Sequence, residues 1–147
     1  MSTVTFCGHG DLYGDEEVRR WLFNTLEQEI RNGADLFYLG GYGSFDRMAA
    51  DVVWELKKTY PQIWSVLVLA YLNREIDSEH YDETTYPPLE DVPQRFAIFR
   101  RNRWMVDQAD TVIAYVMHDW GGAAQTLQYA MRQHKRIIRF QPKRKKM

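Results

Sequence analysis

Two short, almost wholly apolar runs constrain this chain more than any other feature: residues 63–70 (IWSVLVLA) and 111–116 (TVIAYV). A strand with one wet face alternates apolar and polar residues, whereas runs like these belong to strands covered on both faces, as in a parallel sheet. Parallel neighbours need long crossovers, usually helical, and the segments between the apolar runs have the helical period. Residues 3–7 (TVTFC) read as a first strand ending at Gly8. Asp15 then suits a helix N-cap, with Glu16 and Glu17 in the favourable first turn. Val18, Leu22, Leu26 and Ile30 recur every four residues, joined by Trp21, and Asn32-Gly33 stops the helix. Residues 36–39 (LFYL) form a second strand running into Gly40-Gly41-Tyr42-Gly43. With Ser44 as N-cap, 45–58 is a helix turning Met48, Ala49, Val52, Val53 and Leu56 inward, closed by Pro61. Further helices are expected at 94–109 (through Phe96, Phe99, Met105 and Val106) and 123–134, with a turn at 118–122 and a last strand at 137–140. The order β-α-β-α-β-(loop)-α-β-α-β predicts one α/β, Rossmann-like domain over 1–140, with a parallel, doubly wound sheet of about five strands. Residues 141–147 are expected to be a disordered basic tail.

The segment 71–93 breaks the pattern. It holds seven acids, three prolines and three tyrosines without a period. A stretch of that length is either a functional loop or lid or a loop packing over a sheet edge, and both readings stand.

Composition narrows the class. With 147 residues, 45% hydrophobic and 27% charged, the chain is of single-domain size and has enough apolar surface to fold. No run approaches the ~18 apolar residues of a membrane span and residues 1–7 do not read as a secretory signal, so no membrane partner is expected. A single cysteine, Cys7, forbids an internal disulfide and a cysteine-rich zinc site, and the default compartment is the reducing cytosol. Of 19 basic side chains, seven fall in 135–147 with no acid among them. That leaves 12 against all 20 acids, a body of net charge −8. An acidic body makes nucleic acid an unlikely partner; the 143–146 run reads as a solvated tail or a phosphate contact.

In an open parallel sheet, ligands bind beyond the carboxyl ends of the strands where strand order reverses. Three glycine-bearing turns fall at those ends: Gly8-His9-Gly10, Gly40-Gly41-Tyr42-Gly43-Ser44 and Gly121-Gly122-Ala123. Each leads toward a helix N-terminus, whose free N–H groups suit a phosphate. One such turn is explained by tight backbone geometry alone; three together point to a phosphate or nucleotide site. Neither the dinucleotide fingerprint nor a P-loop is present, and no histidine pair has zinc spacing. No metal or cofactor is expected.

Residues 4–8 (VTFCG), 38–43 (YLGGYG), Arg101-Asn102 with Met105 and Ala109-Asp110, and Gly121-Gly122 with Thr126 occur in an order that resembles the LOG ("lonely guy") proteins of the SMF/DprA–LOG, or SLOG, superfamily. The likeness spans residues 3–140 and is nearest to small bacterial and phage SLOG proteins with Cys-Gly-His and Arg-Asn-Arg-Trp-Met runs. LOG enzymes cleave the N-glycosidic bond of a modified adenosine monophosphate, using an arginine and a glutamate on ribose and phosphate. Here the glutamate position is Gln128, which cannot ionise. Asn102 replaces a lysine, Trp120 a proline, and one residue is inserted before Thr126. Other superfamily members are sensors of cyclic or NAD-derived nucleotides, or bind single-stranded DNA. The resemblance also implies a homo-oligomer.

The expected function is therefore binding of a nucleotide-derived small molecule at the sheet rim. The ligand-binding residues would be Gly8, His9, Gly10, Gly40, Gly41, Tyr42, Gly43, Ser44, Arg101, Asn102, Arg103, His118, Gly121, Gly122 and Thr126. The alternative is LOG-like hydrolysis or transfer at a nucleoside monophosphate, with His9, Asp46 or Gln128 as catalytic candidates and Glu17 a further acid. Each has a plainer reading: His9 and His118 satisfy turn backbone, Asp46 favours the helix dipole, and Arg100 or Arg103 pairs with the acidic loop. Trp104, Tyr42, Tyr71, Tyr81 and Tyr86 stack on a base or serve as core aromatics. His80 and His134 read as solvated, and Cys7 as a buried apolar residue.

Overall fold

The computed structural model describes residues 2–12, 15–72 and 77–142. Among these residues, six parallel strands form one sheet in the order β4-β3-β2-β1-β5-β6. They are β1 (Ser2–Gly8), β2 (Ala34–Leu39), β3 (Trp64–Val68), β4 (Glu83–Thr85), β5 (Thr111–Tyr115) and β6 (Arg136–Arg139). The chain starts at the centre, winds outward through β2, β3 and β4, then returns to the other side of β1 for β5 and β6. Strand order thus reverses between β1 and β5, which pair in register from Val4↔Thr111 to Gly8↔Tyr115.

Four helices among the described residues cover the sheet: α1 (Glu16–Arg31), α2 (Ser44–Lys57), α3 (Ala97–Gln108, preceded by a 3-10 turn at Gln94–Phe96) and α4 (Gly122–Arg132). On one face, Val18, Leu22, Leu26 and Ile30 of α1 and Val52, Val53 and Leu56 of α2 pack with Val4, Phe6, Phe37 and Ile113. On the other, Val106 of α3 and Ala124, Leu127 and Ala130 of α4 enclose Cys7, Val112 and Ala114. Alternate β1 residues therefore serve opposite cores, as side-chain alternation along a strand requires. Asp15 caps α1, its Oδ1 accepting from Glu17 N at 2.9 Å. Gly33, at φ 108°, follows the helix end.

Two expectations are refined. The sheet has six strands among the described residues, because Glu83–Thr85, within the segment 71–93, pairs at its edge as β4. Asp82 accepts from Ser65 N (2.8 Å) and pairs with Lys57, while Glu83 accepts from Trp64 Nε1 (2.8 Å). Part of the segment's acidity thus fastens it to β3 and α2, the edge-packing alternative. Second, Ser44 is the first residue of α2 and Gly43 precedes it as the cap. Ser44 instead donates from both N (3.2 Å) and Oγ (3.0 Å) to the Gly10 carbonyl. The basic C-terminal region is also partly structural: Arg136 forms a two-pronged pair with buried Glu29, and Arg139 donates to Val116 O at 2.7 Å. The run 143–146 lies outside the described residues. Among those described, no helix is long and apolar enough to cross a membrane.

Candidate functional site

A cleft of about 150 Å³ lies at the carboxyl rim beside the strand reversal. Gly8 ends β1 at its floor, Tyr42 and Asp46 approach from the α2 side, Arg101 and Asn102 from α3, and Gly122, Ala123 and Thr126 from α4. The topology brings these together because β1, β2 and β5 all end at this rim while α3 passes beneath it.

Arg101 is 1% exposed, and a buried guanidinium is held only where its N–H groups have acceptors. Its Nη1 donates to Gly40 O (2.8 Å) and Val68 O (3.0 Å), and its Nε to Asn102 Oδ1 (3.0 Å). Asn102 in turn donates from Nδ2 to Thr126 Oγ1 at 3.4 Å, and that hydroxyl donates to Gly122 O at 2.9 Å. The far nitrogen, Nη2, has no hydrogen-bond partner among the described residues. Burial lowers the Arg101 pKa, opposed by the Asp46 charge, yet guanidinium remains charged in proteins. A Cβ on Gly40 would lie 3.0 Å from the Arg101 Cζ and 3.1 Å from an Asp46 carboxyl oxygen. A side chain at position 40 would therefore press on both groups.

Asp46 is half-buried at the surface of the same cleft. Loss of solvation pushes its carboxyl up to about 7, against the opposing effects of Arg101 and a backbone hydrogen bond from Tyr42. Tyr42 also places its ring 5.4 Å from the Arg101 Cζ. Gly121 precedes α4 at the N-cap and supplies no side-chain cap, so the first-turn N–H groups, two of whose residues line the cleft, are open to an acceptor.

The other nominated residues are dispersed. His9 is buried, and its Nε2 accepts from Met117 N at 2.8 Å, which leaves the proton on Nδ1. Burial, and then His118, lower its pKa. Gly10 and Gly43 meet each other: a Cβ on Gly43 would fall 2.7 Å from Gly10 Cα, and φ of 85° adds strain for any other residue. Gly41 borders an adjoining cavity of about 550 Å³ with Arg47, Asp51 and His80. Arg103 points away, its guanidinium between the Phe99 and Tyr129 rings at 4.6 and 4.7 Å, in a cavity shared with Arg100. His118 and Gln128 border a separate hollow of about 400 Å³ with Met117 and Arg139. Cys7 is buried and its thiol is pushed up to about 12, as an inert apolar residue should be. Ile98, which carried no signal in the sequence, also lines the cleft.

A scan against protein-family models finds no match, and neither does a search of curated proteins. Solved structures do match. DNA processing protein A from Helicobacter pylori, described for its single-stranded DNA binding mode, superposes with a TM-score of 0.68 at 15% identity, over 97% of this chain and 66% of that one. DNA processing protein A (DprA) from Streptococcus pneumoniae gives 0.69 at 14% identity, over 97% and 51%. The chain thus spans about two-thirds and one-half of these proteins' lengths. The expectation that nucleic acid is an unlikely partner is corrected by this finding: net charge of the body was its whole basis, and a protein described as binding single-stranded DNA is built on the same fold. At such identities the likeness speaks to architecture, and this chain has the Rossmann-like α/β fold of the DprA proteins.

Proposed function

We propose that this protein binds a nucleotide-derived ligand, free or within a strand, and holds its anionic group in the Arg101 cleft. One observation carries the reading: a guanidinium buried to 1% exposure, fixed by the carboxyl ends of β2 and β3, keeps one nitrogen without a partner among the described residues, beside a cleft edged by the α4 N-terminus. The N–H groups of that nitrogen belong to a guanidinium that stays charged and can donate to an anionic oxygen, and an uncapped helix start adds backbone donors. Native mass spectrometry of gently purified protein, followed by titration with nucleoside monophosphates, cyclic and NAD-derived nucleotides and a short oligonucleotide, tests it. A ligand retained at unchanged mass supports binding. Arg101→Lys keeps the charge but has a single nitrogen, which cannot both hold the strand-end carbonyls and donate into the cleft, and should weaken binding at least about tenfold, the equivalent of ~1.4 kcal/mol. Equal affinity in that variant would sink the assignment.

Asp46 favours a second reading, LOG-like cleavage of an N-glycosidic bond. A carboxyl pushed to about 7 beside an arginine is suited to donate a proton to a leaving base near neutrality. Gln128 is exposed, outside the cleft and unable to ionise, whereas Asp46 lines the cleft itself. Free base released by the wild type and not by Asp46→Asn would establish this reading. Unchanged nucleotide after prolonged incubation would remove it.

A further inference from the structure

Three rings stack at the β5–α4 turn. His9 lies 3.8 Å from His118 at an interplanar angle of 18°, and His118 lies 3.8 Å from Trp120 at 14°. The stack is anchored at its inner end, where His9 accepts from Met117 N and meets Tyr115 edge-on at 5.9 Å. Its middle is tied as well, His118 Nδ1 lying 2.9 Å from Trp120 O. The outer ring is left in water: Trp120 is 69% exposed. A free indole on a loop samples many rotamers, but this one is already ordered against a second ring, so a flat partner would lose little further entropy on arrival. Gly121 and Gly122 follow directly, and Gly122 borders the Arg101 cleft.

We infer that Trp120 is the outer plate of a preformed stacking platform, and that a nucleobase of the bound ligand lies on it while the adjoining phosphate sits toward Gly122 and Arg101. A planar π surface at fixed tilt selects a planar heteroaromatic partner over an aliphatic one, and the neighbouring backbone donors select one carrying an anion. The inference rests on the nucleotide reading above and adds the position of the base. Mononucleotide and single-stranded oligonucleotide present the same chemistry, so both belong in the test.

The experiment titrates wild type, Trp120→Ala, Trp120→Phe and Trp120→Leu with AMP, UMP, ribose 5-phosphate and an eight-residue oligodeoxyadenylate. Trp120 is exposed, so none of these variants should threaten the fold; thermal melting verifies that. Base stacking contributes ~1–3 kcal/mol by alanine substitution, about 5- to 150-fold in affinity. Wild type should therefore bind AMP more tightly than ribose 5-phosphate by that factor. Trp120→Ala should erase the difference and leave ribose 5-phosphate unchanged; Trp120→Phe should restore most of it, and Trp120→Leu little. Binding of the oligonucleotide alone, with the same variant pattern, would place the base in a strand. If Trp120→Ala binds AMP and oligonucleotide as wild type does, the platform is wrong and the Arg101 reading survives. If wild type binds none of the four probes and none of the cyclic or NAD-derived nucleotides of the wider panel, both fall. Trp120 variants that alter only self-association on dilution would make this ring a contact between copies and overturn the inference.

Discussion

At the scale of single residues, two titrating groups act in opposite directions. The Asp46 carboxyl holds its proton more tightly in the folded protein, near pH 7, than at its ordinary value of 3.8. Folding therefore favours the protonated form, and this group's contribution to stability is fullest below about pH 4 and declines as pH rises toward 7. His9 has a folded pKa below its ordinary 6.5. Its contribution is intact above that value and is lost as pH falls through the folded pKa, when Nε2 must take a proton and give up the Met117 N–H. Chemical denaturation between pH 4 and 8 should show Asp46→Asn flattening the decline toward neutrality. His9→Gln, whose side-chain carbonyl can still accept from Met117 N, should flatten the loss on the acid side. Identical pH profiles in the variants and the wild type would refute both assignments. Binding has its own pH signature: a phosphodiester keeps one negative charge over this range, so its affinity should rise as pH falls from 8 to 6 and Asp46 is neutralised. Asp46→Asn should bind it with no such dependence.

Among the elements, turns decide where the rim residues go. Gly43 caps α2 at φ 85° with Gly10 Cα 2.7 Å from any added Cβ, and a Cβ on Gly8 would fall 2.2 Å from the Phe45 ring. Gly43→Ala combines backbone strain with a backbone clash and should cost about 2 kcal/mol or more; Gly8→Ala overpacks a side chain and should cost ~1–3 kcal/mol. Urea midpoints measure both, and an unchanged midpoint for Gly43→Ala would contradict the close Gly10 contact. These turns also show how far sequence reasoning reaches. The helices and central strands were legible because each carries a local period and local stop signals, as α1 does from Asp15 to Gly33. Strand β4 was not: Glu83-Thr84-Thr85 has no apolar pattern, and its pairing depends on Asp82 meeting Ser65 and Lys57, a contact between distant segments. Ser44 was misplaced by one residue for a similar reason, since its hydroxyl is claimed by the Gly10 carbonyl across the rim.

For the whole molecule, the sheet order sets what can meet. Reversal of strand order between β1 and β5 opens the rim there, and α3, crossing between β4 and β5, brings Arg101 to the ends of β2 and β3. Arg101, Asn102, Thr126, Gly8, Gly122, Tyr42 and Asp46 were each visible in the sequence as candidates, and they converge. Arg103 and Gln128 do not, because helical phase turns them to other surfaces, and phase relative to a cleft becomes definite only when the helix is docked. The division between Arg101 and Arg103 gives the most direct test of the central claim. Arginine side-chain Nε–Hε correlations can be followed by NMR while a nucleoside monophosphate is added, with Arg101→Lys identifying the resonance. Binding in the cleft predicts a saturable shift of the Arg101 signal with the Arg103 signal stationary. A shift at Arg103 while Arg101 stays fixed would place the ligand elsewhere and contradict the account.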